Sequence, residues 1–230
     1  MLTRTLDAQV YMDKSNRYNS IYNRIIKRIV DILLAVVLLV LTSPILIMIS
    51  IAIIIDTGFP IFYRAERGAY KGDTFRIMKF RSMVKNADRL GGGTTALNDP
   101  RITRVGVFLR KTKLDEIPQL FNILLGDMSF VGPRPELVSY TSKYTKQEQV
   151  IFLVRPGITD YSSVRFINLD EVVGESNVDE VYESKVLPIK NALRVQYAEE
   201  VSFIVDVKIF FLTVLHVIKK FQRVIFHRNI

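Results

Sequence analysis

The sequence predicts a mainly α-helical protein with a small β-hairpin, an α+β arrangement attached to a membrane. Three observations predict it. Residues 29–55 form an almost unbroken apolar run, long enough for a membrane helix. Two short apolar-patterned runs, 60–63 and 74–80, flank the turn-rich stretch 67–73 and read as a β-hairpin. In residues 201–225, Phe203, Val207, Phe210, Phe211, Val214, Ile218 and Phe221 recur at helical spacing, while Lys208, Lys219, Lys220 and Arg223 lie elsewhere.

The apolar run carries Thr42-Ser43-Pro44 at its midpoint. Proline lacks an N–H and crowds the preceding turn, so it kinks or breaks a helix. The neighbouring hydroxyls can serve the carbonyls it frees. Each half, at about 1.5 Å per residue, is roughly 20 Å long, too short for a hydrocarbon core of about 30 Å. Arg24, Lys27 and Arg28 precede the run, and Arg64, Arg67 and Lys71 follow it. Positive flanks at both ends favour one side of the bilayer for both, which suits a re-entrant helix–break–helix. Asp31 near the start favours shallow entry. A spanning helix kinked at Pro44 fits the same residues equally well. The C-terminal pattern suits an amphipathic helix lying in the membrane interface and, equally, a core helix. Residues 14–28 form a second basic interfacial candidate. The resulting organisation is an N-terminal basic segment 1–28, a membrane helix 29–56, a catalytic domain 57–200 and an interfacial helix 201–230.

Composition narrows the chemistry. The 230 residues include no Cys and two His, His216 and His227, both near the C-terminus. Thiol nucleophiles, Cys-ligated metals, Ser–His–Asp triads and His-rich metal sites are therefore excluded or improbable. Acid–base and metal work falls to Asp and Glu, with Arg and Lys as anion binders. Residues 60–113 carry thirteen Lys/Arg against four Asp/Glu, which accounts for the whole excess of +9. Such a block attracts phosphates of nucleotides, nucleic acid or lipid headgroups. It carries no aromatic stacking pattern or nucleic-acid motif, so a nucleic-acid partner ranks last. Gly91-Gly92-Gly93-Thr94-Thr95 reads as a flexible loop of the kind that closes on substrate, and it lacks the order of a P-loop.

Residues 114–125 (LDEIPQLFNILL) read as a short helix with Asp115 as N-cap and Pro118 in its first turn. A helix N-terminus favours anions and lowers the pKa of a carboxylate there. Asp115 and Glu116 could then hold a divalent cation or supply a nucleophile. In isolation, an Asp-Glu pair is more often an ordinary cap with a favourable first-turn Glu. Downstream, Pro133-Arg134-Pro135 holds an Arg in extended backbone, pre-organised for phosphate or carboxylate. Arg155-Pro156-Gly157 repeats the device more weakly. Residues 165–200 read as surface loop and helix without a catalytic motif.

These blocks occur in a familiar order. They are Lys27-Arg28, Ser43-Pro44, Arg67-Gly68, KFRSM at 79–83 and NDPRITR at 98–104. LRK at 109–111, LDEIPQL at 114–120, GDMSFVGPRPE at 126–136 and VRPGIT at 154–159 follow. From about Arg24 to the C-terminus the chain resembles the monotopic bacterial phosphoglycosyl transferases, or bacterial sugar transferases. The resemblance implies transfer of a sugar 1-phosphate from a UDP-sugar to undecaprenyl or another polyprenyl phosphate, with release of UMP. It would initiate surface polysaccharide or glycoconjugate synthesis at the cytoplasmic face of the bacterial inner membrane. It further implies a membrane segment made re-entrant at Ser43-Pro44, Asp115 as nucleophile through a covalent phosphosugar intermediate and as Mg²⁺ contact, Glu116 as its catalytic neighbour, and Arg134 on phosphate. Lys79, Arg81, Arg101, Arg104 and Arg155 are further phosphate-binding candidates. Exposed amphipathic helices permit a homodimer. The chain departs from the family's usual pattern at Lys113, where a small Ser or Thr is common, and at Asp160-Tyr161-Ser162-Ser163. It reads as a minimal catalytic unit. A non-catalytic membrane adaptor of a polysaccharide assembly complex is the alternative expectation.

Overall fold

The computed structural model describes residues 17–87, 90, 95, 99–174 and 177–226. The glycine-rich run 91–94 and the start of the N-terminal segment, 1–16, lie outside the described residues. The apolar run folds as one helix, α1 (Lys27–Thr57), entered through a π-helical turn, Tyr22–Ile26, and containing Pro44. The break expected at Ser43-Pro44 does not interrupt helical backbone. The hydroxyls explain why: Ser43 donates to Val40 O at 2.8 Å, the carbonyl that Pro44 leaves without its N–H, and Thr42 donates to Leu38 O at 2.7 Å.

The hairpin is present, with β1 (Phe62–Gly68) antiparallel to β2 (Thr74–Phe80) from Phe62↔Phe80 to Gly68↔Thr74. Its first strand runs later than its apolar start suggested. The charged side chains Arg64, Glu66 and Arg67 conceal the alternation of a strand whose outer face is wet. Helix α2 (Arg104–Thr112) follows, its first turn capped by Thr103, which accepts from Gly106 N–H at 2.9 Å. A 3-10 turn (Leu114–Glu116) then leads into α3 (Gln119–Leu125).

A second sheet was not anticipated. The parallel strands β3 (Ser129–Val131) and β4 (Gly157–Thr159) pair Ser129 with Gly157 and Val131 with Thr159. Gly132 and Gly157 allow it: a Cβ on Gly132 would lie 2.2 Å from Arg155 O, and one on Gly157 would lie 2.1 Å from Gly132 N. The remaining helices are α4 (Val138–Thr141), α5 (Tyr161–Arg165), α6 (Leu169–Val173), α7 (Val178–Val181), α8 (Leu187–Glu200) and α9 (Phe203–Phe226). So the region read as surface loop and helix supplies α8, which is a core element.

Helix α1 touches the body at both ends. Ala35 packs with Phe75, Leu120 and Ile123, while Ile49 and Ile53 pack with Phe80 and Leu109. Arg28 donates to Ile123 O and to Leu124 O, the latter at 2.9 Å. At the other end Asp56 accepts from Val105 N–H at 3.2 Å, and Arg81 holds Thr57 and Gly58. Between these anchors Val40, Leu41, Ile47 and Met48 are more than 60% exposed.

Polarity in α1 and α9 is inverted. Lys27 and Asp31 of α1 and Asp206 of α9 are buried, whereas Ile29, Leu33, Val37, Phe203, Ile204 and Phe211 are exposed. Lys27 pairs with Asp206, which also accepts from Tyr22 (2.7 Å) and Tyr197 (2.6 Å). Asp31 accepts from Phe130 N–H at 3.2 Å. These three charges therefore face protein partners, although Lys208 and Lys219 of α9 are exposed, and many large apolar side chains of both helices are left exposed. Among the described residues one helix, Tyr22–Thr57, is long and apolar enough to cross a membrane.

Candidate active site

The turn before α3 puts the acidic pair in place. Lys113 ends α2 in left-handed backbone (φ 61°), which redirects the chain into Leu114–Glu116. Asp115 makes no capping hydrogen bond there, contrary to expectation, because α3 proper starts four residues later behind Pro118. The pair is fixed instead from β2. Asn122 accepts from Met78 N–H (2.8 Å) and donates to Arg76 O (2.9 Å), lashing α3 to the strand. This brings Lys79 to Glu116, at 3.0 Å from Oε1.

Arg134 reaches that same Oε1 from the other side. Its loop continues the β3–β4 ladder, with Gly132 N–H on Thr159 O (2.9 Å) and Gly157 N–H on Pro133 O (3.0 Å). The Arg134 N–H donates to Asp160 Oδ2 at 3.0 Å, and its Nη1 donates to Ile158 O at 2.7 Å. A half-buried Lys79–Glu116–Arg134 cluster results, in which one carboxylate holds two cations beside Asp115.

The two acids differ in state. Burial raises the pKa of both. At Glu116 the cations Arg134, Lys79 and Lys113 overcome it and hold the carboxyl well below its ordinary value. At Asp115 burial prevails over the pull of Lys79, and the adjacent Glu116 adds to it, so its pKa is raised. The depressed pKa expected for the pair therefore belongs to Glu116 alone. Asp115 is 6% exposed, and its Oδ1 has no hydrogen-bond partner among the described residues. Gln119, one helical turn further on, is 0% exposed with both amide atoms unpartnered among the described residues. It was not a sequence candidate, since a Gln in a leucine-rich helix carries no pattern of its own.

The other cations are placed elsewhere. Arg155 lies at the opposite end of α3, donating to Gly126 O at 3.2 Å and stacking over Tyr70. Arg81 serves the end of α1. Arg101 forms a bidentate pair with Asp99 and donates to Ala87 O at 3.0 Å. Arg104 is exposed at the start of α2. Among the described residues none of these four is hydrogen-bonded or ion-paired to Asp115 or Glu116.

No group of three or more His, Cys, Asp or Glu able to hold a metal occurs among the described residues. The donor set at Asp115 is one carboxylate oxygen without a partner. That suits Mg²⁺, which commonly takes one or two carboxylates and completes its shell with water and substrate phosphate.

Comparison with known proteins gives the family. The model of the family described as bacterial sugar transferase matches residues 22–220. The chain is 39% identical over 187 residues to the UDP-glucose:undecaprenyl-phosphate glucose-1-phosphate transferase of Escherichia coli (strain K12), covering 80% of this chain and 38% of that protein. It is 36% identical over 167 residues to the undecaprenyl-phosphate galactose phosphotransferase of Salmonella typhimurium, covering 66% and 33%. An uncharacterized sugar transferase of Bacillus subtilis (strain 168) is 35% identical over 185 residues, covering 80% and 83%. The chain thus spans less than two fifths of the first two relatives and most of the third.

Proposed function

Because this chain belongs to the bacterial sugar transferase family, we propose that it transfers a sugar 1-phosphate from a UDP-sugar to undecaprenyl or a related polyprenyl phosphate, releasing UMP. The observation that carries this reading is the buried Asp115 carboxylate with an unpartnered oxygen, set beside the cations that Glu116 holds. An oxygen of Asp115 attacks the phosphorus that carries the sugar. The P–O bond to UMP breaks, and the phosphosugar is left on Asp115. A phosphate oxygen of the lipid then attacks the same phosphorus, and the Asp115 carboxylate is released. The acceptor is already an anion, so no His is needed for proton transfer. A raised pKa makes Asp115 the more basic oxygen of the pair and suits the nucleophile. Glu116, held ionised and occupied, aims Arg134 and Lys79 at the phosphates, where they oppose charge developing in the transition state. Asp115 would hold Mg²⁺, which supplies charge neutralisation of the diphosphate.

The membrane reading follows from the inverted helices. Their exposed apolar faces suit lipid, with α9 in the interface and α1 entering one leaflet. Both ends of α1 are fastened to the same body, and its flanks are basic, which supports re-entry from the cytoplasmic face of the inner membrane. Exposed helix faces leave room for a homodimer.

The test is Mg²⁺-dependent UMP release by the protein in nanodiscs containing undecaprenyl phosphate, across a panel of UDP-sugars. Release with one donor, abolished by a chelator, is the expected result. Silence across the panel from folded protein overturns the reading in favour of a non-catalytic adaptor.

A further inference from the structure

A second charged cluster lies behind the Pro133–Pro135 loop, away from the reacting pair. Arg194 of α8 is 0% exposed. Its Nη2 donates to Glu136 Oε1 at 2.7 Å and its Nη1 to Asn191 Oδ1 at 3.1 Å, while its Nε lies 3.7 Å from Asp160 Oδ2. Tyr182 donates to the same Glu136 oxygen, and Lys190 lies 3.9 Å from it. Burying so many charges is a poor way to gain stability, since well-packed apolar residues of similar volume do as well or better. What the cluster does hold is specific. Its two carboxylates bracket Arg134: Glu136 follows it by two residues, and Asp160 Oδ2 takes its backbone N–H.

Asp160 is committed from every side. Beyond the Arg134 N–H and the ion pair with Arg194, whose Nε is too far at 3.7 Å to hydrogen-bond, it accepts from Ser163 N–H at 2.6 Å, capping α5, and from the Ser162 hydroxyl at 2.8 Å. It belongs to the tetrad Asp160–Ser163, where this chain departs from the usual pattern. A continuous line of contacts thus runs from Arg194 through Asp160 to the Arg134 backbone, and from the Arg134 side chain to Glu116 beside Asp115.

We infer that Arg194 and Asp160 are positioning residues for the transfer, a clamp behind the Pro-Arg-Pro loop that sets the direction from which Arg134 meets the phosphate. This rests on the phosphate role proposed for Arg134. A guanidinium fits the task because one rigid plane spans two carboxylates, which a lysine ammonium does not. Small displacements of a phosphate-orienting group are costly in rate.

The test is a double-mutant cycle in nanodiscs with Arg194→Lys, Arg134→Ala and the pair, with kcat and KM measured separately. Arg194→Lys should lower kcat by about 30-fold with little change in KM, and by less than about twofold when Arg134 is already Ala. Equal losses in both backgrounds overturn the inference, because a merely structural role is additive. Asp160→Asn, which keeps an acceptor, should behave likewise but more mildly. Hydrogen exchange over residues 132–137 supplies a readout independent of turnover, since Pro133 and Pro135 have no amide and Arg134 is one of only four amides there, with Gly132, Glu136 and Leu137. Exchange there should quicken about tenfold in Arg194→Lys at unchanged melting temperature, and unchanged exchange overturns the clamp. Wild-type protein that releases no UMP removes the functional reading instead, and the exchange result still decides whether Arg194 fixes the loop.

Discussion

Asp115 and Glu116 are adjacent in the chain and opposite in circumstance: Glu116 Oε1 receives both Lys79 and Arg134, while Asp115 Oδ1 receives nothing among the described residues. Two adjacent carboxyls, one buried and one half-buried, are thereby driven to different protonation behaviour. Such a divergence separates a reacting group from a structural one.

Asp115→Asn should reduce UMP release by at least about a thousandfold, as expected for loss of a nucleophile. Co-sedimentation with membranes should be unchanged, since no hydrogen bond or ion pair among the described residues joins Asp115 to α1 or α9. A variant with near-normal turnover would remove the nucleophile assignment.

Glu116→Gln should leave Arg134 and Lys79 without their shared anchor. We expect a loss of about a hundredfold in kcat, comparable to removal of a preorganised electrostatic group, and a smaller change in donor KM. Steady-state kinetics on the donor identified by the panel would check it.

Asn122→Ala removes two hydrogen bonds to β2 and leaves Met78 N–H and Arg76 O unserved. A destabilisation of about 1–3 kcal/mol follows. It should be seen by denaturant titration, and turnover should fall as Lys79 loses its register with Glu116.

The Glu136 carboxyl, against the cost of burial, is brought to about 2 by Arg194, Lys190 and Tyr182. A depressed carboxylate contributes stability that is complete above its ordinary value of 4.5. That contribution is lost as pH falls towards about 2, because the unfolded chain takes up the proton first. Between those limits, wild-type stability should fall more steeply with acid than that of Glu136→Gln. Parallel curves would show that Glu136 is not the group titrating.

The course of α1 can be read by labelling, because the chain contains no cysteine. Single variants Ile21→Cys and Phe59→Cys place a thiol at each exposed flank. In oriented vesicles both should react with an impermeant maleimide from the same side. Labelling from opposite sides would establish a spanning helix.

The long elements were legible in the sequence because their patterns are long. A run of twenty-seven mostly apolar residues at 29–55 and the helical recurrence in 201–225 leave few alternatives. The Asp-Glu pair and Pro-Arg-Pro were legible as chemistry, and the fold joins them through Glu116 and Arg134. What escaped was short or ambiguous. Strands of three residues, β3 and β4, offer no periodicity, and their pairing depends on two glycines far apart in the chain. A guanidinium looks the same whether it serves a phosphate or a carbonyl, so Arg81 and Arg155 gave no sign that they hold backbone. Arg194 and Lys190 sat in a stretch rich in surface-type residues, and only the packing of α8 against the loop shows them buried. Lys113 at positive φ is invisible to propensity, which assigns such a position to glycine.

Helix α1 is fastened at Arg28 and again at Asp56 and Thr57, with 31 residues between Lys27 and Thr57. In the re-entrant reading those fastenings make it a depth gauge. Its covalent length sets how far the apex near Pro44 descends, and so the height at which the bilayer carries everything attached above it. Adding or deleting one turn, about 5.4 Å, would leave every contact around Asp115 intact and still lift or sink that carboxylate relative to the plane of lipid phosphates. Activity would then depend on the thickness and headgroup spacing of the host membrane, with no change in any residue of the site.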